Sequence, residues 1–232
     1  MLHEGRGRNM PAVIFDFNGT MLFDESIQEQ AWQQYISERS GHHITPEEFL
    51  DHVHGRNTGD TLAYFFGRPF SPQEADAEEA AEEAIYRALC LTSLDYHLAA
   101  GLPDLLDHLV QKQIPITIAT ASCLANVQFF FDTLGLQQWF ALDAVVYNDG
   151  TLPGKPAPDL YLKASQVLHT APEHCIVFED SPAGILSAKA AGAGKVIGVA
   201  SMQKPSELVA LGADAVIQDF TDSARLAELL GL

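Results

Sequence analysis

Apolar residues along this chain gather into short unbroken runs separated by longer stretches with helical spacing. The first run, Ala12-Val13-Ile14-Phe15, stops at Asp16 with Gly19 three residues on, which predicts a strand buried on both faces and then a tight turn. The same shape recurs at Ile116 to Ala119, Ala144 to Tyr147, Cys175 to Phe178 and Val196 to Val199, with a weaker copy from Ala213 to Ile217. Between these runs, Pro103 to Lys112, Leu124 to Leu134, Asp159 to Leu168, Pro182 to Ala191 and Ser223 to Leu230 read as helices. Strands alternating with helices predict an α/β fold built on a doubly wound parallel sheet.

One stretch breaks the alternation. Residues 27–98 contain no convincing strand, only helical periodicity interrupted by Gly41, Pro46, Gly55, Gly67 and Pro72. They are expected to form a helical insertion, with residues 1–26 and 99–232 making the sheet-bearing core. Its last helix, starting near Pro72, carries Glu74, Asp76, Glu78, Glu79, Glu82 and Glu83 among alanines, the pattern of a solvated acidic face.

Composition narrows the partners. With 31 acidic residues against 13 basic ones the formal charge is -18, which repels both nucleic acid and an anionic membrane surface. It repels an anionic substrate too, so a phosphorylated ligand needs a cation or a cluster of donors to reverse the field locally. Cys90, Cys123 and Cys175 lack any paired spacing that would hold zinc and read as small buried apolar residues in a reducing compartment. Met1 to Asn9 has no apolar segment of the signal-peptide kind, and no stretch reaches the roughly 18 apolar residues of a membrane span, so a cytoplasmic location is expected.

Ligands of a doubly wound sheet sit at the carboxyl ends of its strands. Reading those ends in order yields Asp16, Asn18 and Thr20; Thr120 and Ser122; Lys155 in Gly154-Lys155-Pro156; and Glu179 with Asp180. Each group alone has an ordinary explanation as a cap, a turn or a strand terminator. Together they are the parts of a phosphoryl-transfer site. A carboxylate can attack phosphorus, an acidic pair can hold a hard divalent cation, a lysine can neutralise nucleophile and phosphoryl oxygens, and a threonine hydroxyl with following amides can donate to them.

The stretches Asp16-Phe17-Asn18-Gly19-Thr20, Thr120-Ala121-Ser122, Lys155-Pro156-Ala157-Pro158-Asp159 and Phe178-Glu179-Asp180-Ser181-Pro182-Ala183-Gly184 closely resemble the four motifs of the haloacid dehalogenase-like superfamily. Within it the chain looks like the branch containing beta-phosphoglucomutase and phosphoglycolate phosphatase, where a helical cap is inserted between the first and second motifs. The resemblance implies a Rossmann-like core, an inserted α-helical cap domain, Mg2+, and a small phosphorylated metabolite as substrate. It implies that Asp16 is the nucleophile, that Thr120, Ala121 and Lys155 hold the phosphoryl group, and that Asp16, Glu179, Asp180 and the Asn18 carbonyl face the metal. Val53-His54-Gly55-Arg56-Asn57-Thr58 falls where relatives carry a specificity loop, making His54 and Arg56 candidate substrate contacts beside their plainer reading as exposed loop side chains. A monomer or weak homodimer is expected.

The chain departs from the pattern at Asn18, where such phosphatases and mutases carry an aspartate that protonates the leaving oxygen and then deprotonates water. An amide does neither. A phosphatase could accept the loss, worth about 10²–10⁴-fold, by acting slowly, by taking a substrate with a good leaving group such as an acyl or nucleoside phosphate, or by borrowing a proton carrier such as His54. Chemistry that needs no acid there, such as carbon–phosphorus or carbon–halogen cleavage, is a second reading, against which residues 27–98 contain no lysine for a Schiff base. A binding or regulatory protein that has lost turnover is a third. A mutase, which needs the acid twice per cycle, is the least favoured.

Overall fold

A computed structural model describes residues 11–53, 56 and 58–232. The chain forms two compact units, one of residues up to Phe23 together with His97–Leu232, the other Asp24–Tyr96. The larger unit holds six parallel strands: β1 (Ala12–Phe15), β2 (Ile116–Cys123), β3 (Val146–Asn148), β4 (Cys175–Glu179), β5 (Lys195–Val199) and β6 (Ala215–Ile217), in the order β3-β2-β1-β4-β5-β6. Strand order reverses direction about β1, so the carboxyl ends of β1 and β4 flank the switch point.

Two burial layers explain why β1 and β4 sit in register. Ala12, Ile14, Val177 and Cys175 belong to the core cluster on one face. On the other, the Phe15 and Phe178 rings stack at 5.1 Å and Phe220 joins them at 5.4 Å from Phe178. Phe15 pairs with Phe178, so the next residues, Asp16 and Glu179, emerge side by side on the opposite face.

Helix expectations held closely. In the larger unit lie α5 (Leu102–Gln111), α6 (Leu124–Leu134), α7 (Asp159–Val167), α8 (Pro182–Ala190), α9 (Pro205–Ala210) and α10 (Ser223–Leu230), after α1 to α4 of the smaller unit. The helix α9 was not anticipated, although Pro205 at its start and Glu207 reaching back to the Lys204 amide at 3.4 Å form a legible start signal. The run Ala144 to Tyr147 starts two residues before the strand does. Leu142–Ala144 is a 3-10 turn, and the ladder begins only at Val146.

The described residues of the smaller unit form the helices α1 (Glu25–Ser40), α2 (Pro46–His52), α3 (Thr58–Phe66) and α4 (Pro72–Cys90). Capping boxes open α2 (Thr45 with Glu48) and α4 (Ser71 with Glu74), each with proline in the first turn, and Gly41 in the left-handed region ends α1. Tyr35, Ile36 and Leu62 form its core. The acidic face of α4 is not wholly solvated, because Glu82 is buried on the stripe that also carries Glu78 and Tyr86 and packs on α1. Burial, with Glu83 and Glu79 adding to the effect and Arg87 opposing it, pushes the Glu82 carboxyl up to about 9, so it is accommodated in its neutral form. The Glu78 carboxylate accepts from the Tyr35 hydroxyl at 2.5 Å, and the Asp24 carboxylate accepts from Tyr86 at 2.5 Å and Gln28 at 3.0 Å. In α6 of the larger unit Phe130 and Phe131 are buried, with Phe130 stacked on Phe17 at 4.3 Å, while Phe129 is half-buried. Among the described residues no helix is long and apolar enough to cross a membrane, and no cysteine is in a disulfide.

Candidate active site

The strand ends converge. Asp16 leaves β1 with its amide donating to the Phe178 carbonyl at 3.0 Å, and its Oδ1 accepts from Lys155 Nζ at 2.6 Å. The same ammonium donates to Glu179 Oε2 at 2.6 Å. Lys155 thus bridges two carboxylates from neighbouring strands, and all three side chains are at most 10% exposed. Asp180 follows β4 directly, and its Oδ1 accepts from the Thr20 hydroxyl at 3.0 Å.

Glycine makes this crowding possible at two points. Gly19 has φ +76, and a Cβ there would overlap the Asp180 carboxylate, so the turn after β1 must be both left-handed and bare. Gly184, in the first turn of α8, lies against the Glu179 carboxyl group in the same way. The Ser181 hydroxyl caps α8 by accepting from the Gly184 amide at 3.0 Å, and its own amide and hydroxyl donate to Glu179 Oε1 at 3.0 and 2.8 Å.

On the other side of β1, the pairing of β2 with β3 shifts between Ala119 and Cys123, a bulge that lifts Thr120-Ala121-Ser122 out of the ladder at the strand end. Thr120 is buried and its Oγ1 accepts from the Ser122 amide at 3.1 Å, which leaves its hydroxyl proton for a further acceptor. Ala121 is exposed. Ser122 donates its hydroxyl to Asn18 Oδ1 at 2.7 Å, tying the first motif to the second across 104 positions of sequence.

Electrostatics follow from burying three acids with one cation. Burial pushes Asp16 up to about 7, Glu179 adds to the rise, and Lys155 opposes it. Burial likewise raises Asp180 well above the usual carboxylate range, with Glu179 and Asp16 reinforcing it. Glu179 is the exception: burial works against its charge, yet Lys155, Tyr161 and the Ser181 amide together hold it below its ordinary value. Burial would lower Lys155, but Asp16 and Glu179 outweigh that and raise it. Such a centre, with two of its acids driven toward neutrality, is short of positive charge. Oxygens of Asp16, Glu179 and Asp180 lie within 4.8 Å of one another, a hard all-oxygen donor set that suits Mg2+.

The structure therefore brings together Asp16, Asn18, Thr120, Lys155, Glu179 and Asp180. His54, with Gly55 and Asn57, lies outside the described residues. Arg56 is exposed, and its Nε donates to the Asp51 carbonyl at 3.0 Å. Two contributors are not among the residues read off the strand ends: Ser181, which donates to Glu179 Oε1, and Tyr161, whose buried hydroxyl donates to Glu179 Oε2. A tyrosine among the inward positions of α7, six residues after Lys155, was the available signal.

The family model for haloacid dehalogenase-like hydrolases matches residues 10–192. The chain belongs to this family. Among curated proteins, the hydrolase is 32% identical to hexitol phosphatase A of Escherichia coli over 77% of this chain and 78% of that one. It is 31% identical to validoxylamine A 7'-phosphate phosphatase of Streptomyces hygroscopicus subsp. limoneus, covering 90% and 94%. Among solved structures, a family IA, variant 3 hydrolase of this family from Entamoeba histolytica superimposes with TM-score 0.90 at 36% identity, over 96% of this chain and 100% of that one. A family member from Deinococcus radiodurans with bound phosphate and sodium gives 0.73 at 28% identity, covering 97% and 98%. The chain is a haloacid dehalogenase-like phosphatase, and its parallel sheet with an inserted helical unit is the fold of these relatives.

Proposed function

We propose that the protein is a cytoplasmic, magnesium-dependent phosphohydrolase that forms an aspartyl-phosphate on Asp16 from a small phosphorylated metabolite. The observation that carries this reading is the buried Asp16 carboxylate, held at one oxygen by Lys155 at 2.6 Å and set among Glu179 and Asp180 at the switch point of the sheet.

Asp16, Glu179, Asp180 and the carbonyl of Asn18 would hold the Mg2+. When bound, the ion supplies the positive charge that lets an anionic nucleophile approach an anionic phosphate. Lys155 fixes the orientation of Asp16 through Oδ1 and lends its charge to the phosphoryl oxygens. The Thr120 hydroxyl, with its proton uncommitted to the Ser122 amide, donates to another of them. Asp16 forms a bond to phosphorus as the bond to the leaving oxygen breaks, and water later cleaves the acyl phosphate to return the carboxylate.

Asn18 sets the rate. Its side chain is engaged by Ser122 and carries no transferable proton, so the leaving oxygen must depart as an anion or take its proton from water. The two curated relatives are named as a hexitol phosphatase and a validoxylamine A 7'-phosphate phosphatase, and we extend to this chain a substrate of that kind, a phosphorylated polyhydroxy compound. A sugar alkoxide is a poor leaving group, so such substrates turn over slowly and activated phosphates quickly. His54 and Arg56 remain the proposed substrate contacts of the helical unit, which would act as the cap. The kinship with phosphatases makes a binding-only role and a mutase the weaker alternatives.

Incubation with Mg2+ and an activated aryl phosphate tests this directly. Wild type releases phosphate only with metal present, and Asp16→Asn does not; equal rates from the two proteins would remove Asp16 as nucleophile. On a hexitol phosphate, Asn18→Asp runs about 10²-fold or more faster than wild type because it restores the acid. No acceleration would mean that the proton carrier lies elsewhere.

A further inference from the structure

The mechanism above uses Lys155 but does not explain what keeps it on Asp16. Its ammonium lies 2.6 Å from Asp16 Oδ1 and 2.6 Å from Glu179 Oε2, so it is shared between two buried carboxylates at equal distance. Glu179 is fully buried, and a buried carboxylate left short of donors draws any cation in reach. It is not short of donors. Ser181 fills Oε1 with an amide and a hydroxyl, and the Tyr161 hydroxyl joins Lys155 on Oε2.

Tyr161 is itself only 1% exposed, on the inner side of α7. Its ring also lies near the lysine, 5.2 Å from Nζ to the centroid. We propose that Tyr161 is a positioning residue for catalysis: by donating to the oxygen of Glu179 that Lys155 also binds, it keeps Glu179 from monopolising the ammonium and leaves Lys155 on Asp16. Glu179, with Lys155, Tyr161 and Ser181 donating to its two oxygens, anchors the lysine besides its place among the metal-facing acids, while Asp180 accepts from Thr20. This inference rests on the phosphatase reading.

Tyr161→Phe removes the hydroxyl and keeps the ring, its packing and its place beside Lys155. Kinetics with an activated aryl phosphate and Mg2+ are expected to show kcat reduced about tenfold to hundredfold, the range for losing one hydrogen bond to a buried charge, with KM within about twofold of wild type. On a Glu179→Gln background, where the competing charge is gone, the same change should cost less than about twofold. A crystal structure of Tyr161→Phe should show Lys155 Nζ withdrawn from hydrogen-bond distance of Asp16 and retained on Glu179, a readout independent of turnover. A wild-type kcat, an equal loss on the Glu179→Gln background, or an unchanged Lys155–Asp16 contact would each overturn the proposal. If wild type itself shows no Asp16-dependent phosphate release, the phosphatase reading fails instead, and the crystal structure alone still decides the placement of Lys155.

Discussion

Replacing Lys155 with methionine keeps most of the aliphatic stem and removes the one ammonium bonded to Asp16 and Glu179. Two contacts of 2.6 Å are lost, and Glu179, with no exposed side-chain surface, keeps its charge with only Tyr161 and Ser181 to support it. Breaking a buried pair by removing one partner costs about 3–5 kcal/mol, because the remaining charge stays desolvated. With a urea slope of about 3 kcal/mol per molar for a chain of this size, the midpoint should fall by roughly 1–1.7 M. The pH dependence has a definite sign. Lys155 is charged throughout the range below its ordinary 10.5, so the variation comes from its two partners: Glu179, held below 4.5 by this lysine, and Asp16, which burial pushes up to about 7 and the lysine keeps from rising further, so that losing the lysine widens the gap there too. The Glu179 stabilisation is present above 4.5 and lost as pH falls through the lowered value, so the gap between wild type and Lys155→Met widens from acid to pH 8. The measurement is urea unfolding of both proteins in chelator at a series of pH values. A difference below about 1 kcal/mol at pH 8 would refute the view that these acids are buried as charges and held by the lysine.

Two other outcomes follow from buried groups. Glu82 has its carboxyl raised from 4.5 to about 9, so the helical unit binds a proton there that the unfolded chain releases; stability is full below about 4.5 and is lost as pH rises through about 9. Glu82→Gln, which keeps the shape and cannot ionise, should flatten that decline and raise the thermal midpoint at pH 8, and an identical pH profile for the two proteins would show that Glu82 is not carrying it. Gly184→Ala places a methyl group against a Glu179 carboxyl already pinned by Lys155, Tyr161 and Ser181, so the acid cannot swing aside cheaply. Overpacking of about 1–3 kcal/mol and at least a tenfold loss of phosphate release are expected, and wild-type activity would mean that the Glu179 geometry tolerates displacement.

Local chemistry made much of this protein legible in one dimension. Period and punctuation marked every strand, most helices and the helical insertion, because a buried parallel strand requires an unbroken apolar run and a helix start advertises its cap. Leu124–Leu134 and Ser223–Leu230 came out with the bounds read from sequence. The four groups of polar residues at strand ends were visible for the same reason: a polar residue that interrupts such a run stands where the strand leaves the core.

What the sequence left undetermined depends on partners far along the chain. Which strands are neighbours, and therefore that Asp16 meets Glu179, is decided by the β1–β4 register and the Phe15–Phe178 stack. Glu82 belongs to an acidic helix by pattern but to the interior by packing, since period alone does not say how wide a stripe the facing helix covers. Nor could composition reveal that Ser122 holds Asn18 or that Tyr161 completes Glu179, because a hydrogen bond between residues 104 or 18 positions apart leaves no mark on either neighbourhood. Asp16 and the acidic pair Glu179-Asp180 could be named from the strand ends alone. How the charge of Lys155 is divided among them is a property of distances, and distances of a few ångströms between remote residues exist only once the sheet has closed.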